Sequence, residues 1–436
     1  MLASFTFANA RSFPDRQTLS LVAHAPHKEI QGALIKASAS GSDGPLLAAA
    51  AIYGPNASGK TNVLKALDYF RDAVVLSLQH WAPSGGTLNI PHARQFRMPS
   101  VYEIECVIEG VRYRYGFMQD IKEFHEEWLY AYPKKRERLL FHRYSADVGS
   151  DPSSINFGEN LSGSDRDHQS FRRRTRTNSL FLSVAAQENQ AECSLIYKWF
   201  YSSLNIHISP MDGDDNGFTS RLLNKSSENS PLIKSIILSA DSSLTDIQVS
   251  ESDREVAVDD DWAEDMPENL RDFVAENRKY EVSFGFGDGA DRFVLPLSMQ
   301  SEGLKKVYAL SSTVACVLHF GEVLVVDELE SSLHPHIASQ LVDLFQNKTT
   351  NPNGAQLIFT THDVGLLSDD HLRRDQVWFV EKERGNSALY SLVDFKTRKD
   401  ENVQSGYLRG RFGAVPSRSV GAAFLSSMLS HDPSPR

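Results

Sequence analysis

Three cysteines, no long apolar run and no surplus of basic residues set the first limits on this 436-residue chain. Cys106, Cys193 and Cys316 cannot form a complete set of pairs, and no two stand at metal-ligand spacing. That usage points to a reducing compartment, with the cytoplasm as the expected location. The longest apolar candidate, Leu46–Tyr53, is eight residues long and half alanine. A bilayer span needs ~18 such residues, so no membrane association is expected. The first residues, Met1-Leu-Ala-Ser-Phe-Thr-Phe, lack the basic start of a secretory signal and read as a strand. Lys and Arg total 45 against 56 Asp and Glu, a formal charge of −11, which argues against an overall basic surface that coats nucleic acid. No internal repeat is visible. A hydrophobic share of 41% supports a sizeable core, and the length allows two or three domains.

Two regions carry strand-then-helix signals and lie far apart in the chain. In the first, Ser4–Asn9 and Thr18–Ala23 read as short strands, followed by the buried-looking run Leu46–Tyr53 and a helix from Gly59 to Leu76. In the second, a helix over Leu304–Phe320 leads into the Val- and Leu-rich strand Glu322–Val326, a helix over Pro335–Gln346 and the strand Gln356–Thr360. Strands alternating with helices predict an α/β core around a parallel sheet. Between these regions the texture changes. Val101–Glu109 and Val111–Asp120 alternate around Glu109-Gly110 and predict a β-hairpin, with a third strand at Trp128–Tyr132. Ser145–Asp167 reads as a loop, Leu180–Ser203 as helical, Glu251–Glu268 as an acidic exposed stretch, and Tyr280–Phe286 as a strand.

Gly54-Pro-Asn56-Ala57-Ser58-Gly59-Lys60-Thr61 fits the phosphate-loop pattern G-x-x-x-x-G-K-[ST], between a buried strand and a helix. Glycines let backbone N–H groups wrap the phosphates of a ligand, and the helix N-terminus through Asn62 adds partial positive charge. Lys60 is placed to reach the β- and γ-phosphates, and the Thr61 hydroxyl to ligate Mg²⁺. Val323-Leu-Val-Val326 ends in Asp327-Glu328. Asp327 is the expected holder of Mg²⁺ through water, and Glu328 the expected base for the attacking water. The next strand ends in Thr361-His362-Asp363, which puts His362 near the γ-phosphate. Ahead of the second region, Ser301-Glu302-Gly303 opens a helix; Ser301 is a plausible N-cap, and the helix end is a second anion site. The 267 positions from Lys60 to Asp327 exceed what a minimal nucleotide-binding domain needs, so something large is inserted.

The ordered set of phosphate loop, Ser301-Glu302-Gly303, Asp327-Glu328, Ser331-Ser332-Leu333-His334-Pro335 and Thr361-His362-Asp363 resembles the ATP-binding-cassette ATPases of the SMC, RecF and OLD type. More narrowly, the chain is similar to the bacterial abortive-infection and anti-phage ATPases related to RloA and the AriA subunit of the PARIS system. That likeness rests on Asn9-Ala-Arg11-Ser-Phe13, Glu127-Trp128-Leu129-Tyr130 and the stretch from Arg374 through Phe395-Lys-Thr-Arg398 to Pro416. It implies an α/β fold: a split ABC-type P-loop core at 1–76 and 291–417, an antiparallel β subdomain at 77–145, a mainly helical insertion at 146–290 and a tail at 418–436. It also implies a head-to-tail dimer in which each ATP lies between Lys60 and Thr61 of one chain and Ser301 and Gly303 of the other. Ser331 and Leu333 would then lie at the interface, Asn9 and Arg11 would approach the nucleotide, and Gln119 would be the Q-loop ligand of the metal. Glu302 stands where the usual signature has a glycine.

The weaker features are open to plainer readings. Arg172-Arg173-Arg174-Thr-Arg176 is the one dense basic cluster, either a nucleic-acid or acidic-partner site or a solvated helix face. Lys134–Arg138 is similar, and Asp259-Asp-Asp261 reads as a solvated loop. About seventy residues follow His362, too few for the Toprim nuclease domain of OLD proteins. The resemblance therefore implies an ATPase that senses a phage product and controls a separate effector, such as a Toprim-like nuclease. The alternative is an SMC- or RecF-like DNA-binding ATPase in repair or chromosome maintenance.

Overall fold

The computed structural model describes residues 1–24, 30, 32–36, 44–144, 154–208, 214–225, 227–251, 280–368, 371–396 and 401–415. The acidic triplet at 259–261, Arg398, Pro416 and the tail from 418 lie outside the described residues, as do 145–153 of the expected loop.

Strands β1 (Leu2–Ala8) and β2 (Gln17–Ser20) come first, then β3 (Leu34–Ile35), β4 (Leu46–Leu47), β5 (Ala49–Tyr53) and helix α1 (Lys60–Leu76). Next are β6 (Ser100–Ile108), β7 (Val111–Gln119), β8 (Phe124–Tyr132), β9 (Arg138–Tyr144) and β10 (Ser154–Phe157). Helices α2 (Asp165–Arg174), α3 (Phe181–Gln187) and α4 (Ala191–Lys198) lead to β11 (Leu204–His207), α5 (Asp214–Asn224), α6 (Ser230–Ser239), β12 (Leu244–Glu251), β13 (Tyr280–Phe286) and β14 (Phe293–Pro296). The last part runs α7 (Glu302–Phe320), β15 (Val323–Val326), α8 (Pro335–Phe345), β16 (Gln356–Thr360), β17 (Val377–Glu383), β18 (Asn386–Ser391) and α9 (Val403–Leu408).

A six-stranded sheet in the order β11-β15-β16-β5-β17-β18 forms the α/β core, parallel throughout except for β18. Its central strands are buried on both faces, which is why Val323–Val326 and Ala49–Tyr53 are apolar without alternation. Alternate residues still go to opposite sides. Ala50, Ile52, Val323 and Val325 pack with Leu64 and Phe70 of α1, whereas Ala49, Ala51, Leu324 and Val326 pack with Val317 of α7 and Leu341 of α8. A parallel sheet covered in this way collects the carboxyl ends of its strands at one edge, where ligands bind in such folds.

The antiparallel sheet has seven strands, in the order β10-β9-β8-β7-β6-β1-β2. The expected hairpin is present: Ile108 pairs with Val111 across Glu109 and Gly110, both at positive φ (50° and 76°), the conformation of a tight two-residue turn. Strands β1 and β2 belong to this sheet rather than to the parallel core, because Phe5 and Phe7 face the aromatic cluster around Phe70, whose ring lies 5.0 Å from that of Phe117. The expected boundary at 146–290 is crossed as well, since β11 pairs in parallel with β15 and closes one edge of the core sheet. Residues Leu180–Ser203 do not form one helix. Asn189, at φ 60°, separates α3 from α4, and Trp199–Ser203 is wound as a π-turn. Strands β12, β13 and β14 form a separate sheet packed on α5, α6 and α7 through Phe284, Ile233 and Tyr308.

One buried ion pair ties the antiparallel sheet to α3. Glu127, fully buried, accepts the backbone N–H groups of Phe181 (2.7 Å) and Leu182 (2.9 Å) and the Tyr115 hydroxyl (3.0 Å). Arg143 lies 3.5 Å away and donates to the carbonyls of Ser179 and Arg176. The pair thus fixes the turn into α3 from both ends. Removing one member leaves the other buried and uncompensated, so Glu127→Ala should lower unfolding stability by about 3–5 kcal/mol in urea denaturation. An unchanged midpoint would show that α3 is positioned by apolar packing alone.

Candidate functional site

The parallel sheet sets the site geometry. Register pairs Val326 with Phe359 and Thr360 with Ile52, so the segments after β15, β16 and β5 emerge side by side. Gly54–Gly59 turns from β5 into α1, and Gly59 takes φ 116°. A Cβ there would lie 2.7 Å from Ser387 Oγ and 2.9 Å from Ser12 Oγ, so only glycine fits. The loop residues 56–62, with Glu328 and Lys382, line a cavity of about 410 Å³.

Within this cavity Lys60, 6% exposed, donates to the Gly54 carbonyl (2.9 Å) and to His362 Nε2 (2.9 Å). Burial holds the Lys60 pKa below its ordinary value against the pull of Glu328, Asp327 and Glu330. Burial, then the neighbouring ammonium, lowers the pKa of His362 too. Neutral imidazole with its Nε2 lone pair toward Lys60 follows from that pairing. Asp327 is gripped from two sides, Thr61 Oγ1 donating to Oδ2 (2.8 Å) and Thr360 Oγ1 to Oδ1 (2.5 Å). The Glu328 N–H donates to the same Thr360 hydroxyl (2.7 Å), and Glu328 adopts φ 49°, a turn that starts the exit from β15. Glu330 Oε1 accepts the backbone N–H of His362.

The residues fit a nucleotide and Mg²⁺. Ser58 Oγ is buried without a hydrogen-bond partner in the loop wall, a hydroxyl suited to a phosphate oxygen. Thr61 and Asp327 supply one hydroxyl and one carboxylate at contact distance, a set that Mg²⁺ would complete with phosphate and water oxygens.

The second helix start expected to bind an anion stands apart. Ser301 Oγ accepts the Leu304 N–H (3.2 Å) and caps α7, as its sequence position predicts. A Cβ on Gly303 would lie 2.5 Å from the Ser332 carbonyl, so glycine is needed where the helix start meets the segment after β15. Lys306 reaches the Glu328 carbonyl (3.0 Å) across the same contact. Neither Ser301 nor Gly303 lines the phosphate cavity.

Three expected residues do not reach this cavity. Gln119 is fully buried, its amide donates to the Tyr69 hydroxyl (2.7 Å), which in turn donates to the Thr87 carbonyl (2.6 Å), and it does not line the cavity. Asn9 is occupied too: its Nδ2 donates to the Met98 (2.7 Å) and Gln95 (3.1 Å) carbonyls, and its Oδ1 accepts the His92 N–H (3.0 Å). Arg11 has positive φ and is held by its N–H on the Ile90 carbonyl (2.9 Å). The segment does approach the loop, but through Ser12, whose Oγ accepts from Asn62 (2.9 Å). The arginine cluster is divided: Arg176 donates to the Ser77 and Leu78 carbonyls at the end of α1, whereas Arg173 and Arg174 are exposed, Arg174 pairing with Glu188 at the surface. Sequence reading missed Ser12, Thr360, Lys382 and Ser387. Thr360, adjoining Thr361-His362, had a positional signal, whereas Lys382 becomes a neighbour only because β17 pairs with β5.

Residues 49–368 match the family described as "AAA domain, putative AbiEii toxin, Type IV TA system", and the chain belongs to it. No curated protein matches the sequence. Among solved structures, the chain is similar to an SMC head bound to the C-terminal winged-helix domain of ScpA (13% identity, 89% of this chain and 97% of that one, TM-score 0.41). It is also similar to the SMC head domain from Thermotoga maritima (14% identity, 89% and 98%, TM-score 0.39). Among the described residues no helix is long and apolar enough to cross a membrane.

Because Lys60 is a buried cation facing carbonyl and imidazole groups, removing it should not weaken the empty fold. Lys60→Met is expected to melt at or above the temperature of the unsubstituted protein, and to lose the rise in Tm that ATP with Mg²⁺ produces in it. A ligand-induced rise that survives the substitution would contradict the site.

Proposed function

We propose that this chain is an ABC-type ATPase that binds Mg·ATP in the cavity between α1 and the Asp327-Glu328 turn and hydrolyses it. The observation that carries this reading is the convergence of Lys60, Thr61, Asp327, Glu328 and His362 from three neighbouring parallel strands. Backbone N–H groups of residues 56–62 surround the phosphates, and Lys60 exchanges the Gly54 carbonyl and His362 for β- and γ-phosphate oxygens. Thr61 and Asp327 would hold Mg²⁺, which would supply charge neutralisation at the phosphates. Glu328 accepts a proton from the attacking water as its oxygen bonds to the γ-phosphorus and the bond to the ADP oxygen breaks. Once Lys60 has left it, His362 with its proton on Nε2 donates to the γ-phosphate.

Ser301 and Gly303 lie outside the cavity of their own chain, which supports a head-to-tail dimer in which they close the nucleotide site of a second copy. ATP would then hold the pair together and hydrolysis would release it. The family's description as a putative AbiEii toxin of a type IV toxin–antitoxin system fits a defence role, in which the dimer in the cytoplasm responds to a phage-encoded trigger and controls a separate effector such as a Toprim-like nuclease, in the manner of RloA and AriA. The DNA-repair reading would need a basic surface; Arg176 is committed to backbone carbonyls, and exposed Arg174 is paired with Glu188. Salt-dependent DNA binding lost on neutralising Arg172 and Arg173 would favour it.

Glu328→Gln should lower turnover by about 100-fold or more while retaining ATP binding, and an ATP-dependent dimer should accumulate on sedimentation. Turnover at the unsubstituted rate would remove Glu328 as the base.

A further inference from the structure

Four of the exposed large apolar side chains belong to one stretch of eleven residues: Leu88, Ile90, Phe96 and Met98 are between 53% and 62% exposed. They are not on a loose loop. Asn9 holds the Met98 and Gln95 carbonyls, Asn89 bonds Ser100 (2.8 Å) and Tyr102 (3.0 Å), and Arg94 donates to the Arg384 carbonyl (2.9 Å). Arg384 sits at the turn of the β17–β18 hairpin whose Lys382 lines the phosphate cavity. The loop is therefore built rigidly beside the nucleotide half-site with its apolar side chains turned outward. Monomeric proteins seldom leave such a surface uncovered.

A second exposed apolar strip precedes the other half-site. Phe293, Val294 and Met299 are between 45% and 72% exposed, and they lead directly into Ser301 and α7. The two surfaces carry opposite charge. Residues 79–100 contain Arg94 and Arg97 and no carboxylate, whereas the strip is flanked by exposed Asp288 and Asp291, with Arg292 engaged by Asp246 (3.2 Å). One strip is apolar and basic beside the phosphate loop; the other is apolar and acidic beside the signature helix.

We propose that the 88–98 loop of one chain docks on the Phe293–Met299 strip of a second copy, flanking each shared nucleotide. This rests on the head-to-tail reading above and names the surface that sets its register: Arg94 ties the loop to the hairpin whose Lys382 lines the Lys60 cavity, and the strip runs directly into Ser301, so a pairing of Ser301 with Lys60 would set the two strips near each other. Apolar contact supplies the area, and the arginine–aspartate complementarity selects the orientation.

The test uses the full chain with Glu328→Gln to hold ATP, and Cys316→Ala to leave the buried Cys106 and Cys193 as the native thiols. One preparation carries Met98→Cys and another Met299→Cys, treated with a short bismaleimide. The expected result is a covalent dimer only when the two preparations are mixed and ATP is added. In a second arm, Arg94→Glu with Arg97→Glu should weaken ATP-dependent dimerisation by about tenfold, and pairing with chains carrying Asp288→Arg and Asp291→Arg should restore it. An ATP-dependent dimer that sedimentation detects but that gives no mixed cross-link, or links Met98→Cys chains to each other, overturns the docking surface and leaves head-to-tail pairing standing. Loop substitutions that spare the dimer but abolish binding of a different protein overturn it in the same way. Absence of any ATP-dependent dimer overturns both readings.

Discussion

Asp327 is the point on which the candidate site depends. Its two oxygens are bonded to hydroxyls from two other elements, Thr61 at the start of α1 and Thr360 at the end of β16. The carboxylate therefore fixes the phosphate loop against the strand that carries His362, and Thr360 extends the same network to the Glu328 backbone. A loop of six residues between strand and helix has little stiffness of its own. It is held here by a charge-assisted hydrogen bond on one side and by the Ser12–Ser387 contact behind Gly59 on the other. Shape and electrostatics follow from one arrangement, since the ammonium of buried Lys60 rests on the Gly54 carbonyl and His362, partners that phosphate oxygens can replace.

The rest of the chain supports that edge from a distance. The aromatic interior of the antiparallel sheet packs on Phe70 and so sets the direction of α1, whose first residues are Lys60 and Thr61. Glu127 and Arg143 join that sheet to α3, and Arg176 closes the far end of α1 by taking the Ser77 and Leu78 carbonyls that follow it. On the other face, α7 is tied to the exit of β15 by Lys306 and by the close approach of Gly303 to Ser332. A rearrangement at Glu328 thus has a direct mechanical path to the start of α7. That is the kind of coupling a nucleotide-dependent interface requires.

What was legible in the sequence was whatever repeats a local rule. The phosphate loop between strand and helix, the apolar strand ending in Asp327-Glu328, the hairpin around Glu109-Gly110 and the Ser301 cap all express chemistry within a few residues, and each lies in the predicted kind of element. What was not legible depends on pairing between distant segments. Nothing in Leu204–His207 says that it joins the core sheet beside β15, and nothing in Lys382 says that β17 will bring it to the phosphate loop. Asn9 and Gln119 illustrate the opposite error: polar residues near a motif in sequence were expected at the ligand, whereas burial commits their amides to neighbouring carbonyls and a tyrosine.

The central claim is that each nucleotide site is assembled from two chains, and complementation between inactive variants tests it most directly. Lys60→Ala disables the phosphate loop, and Ser301→Asp keeps an N-cap while placing a carboxylate where phosphate would sit. ATP turnover, measured for each variant alone and for the two mixed, should be lost in both and recovered in the mixture, because a mixed pair contains one intact Lys60–Ser301 combination. Wild-type turnover by Ser301→Asp alone, or a mixture as inactive as its components, would contradict the account.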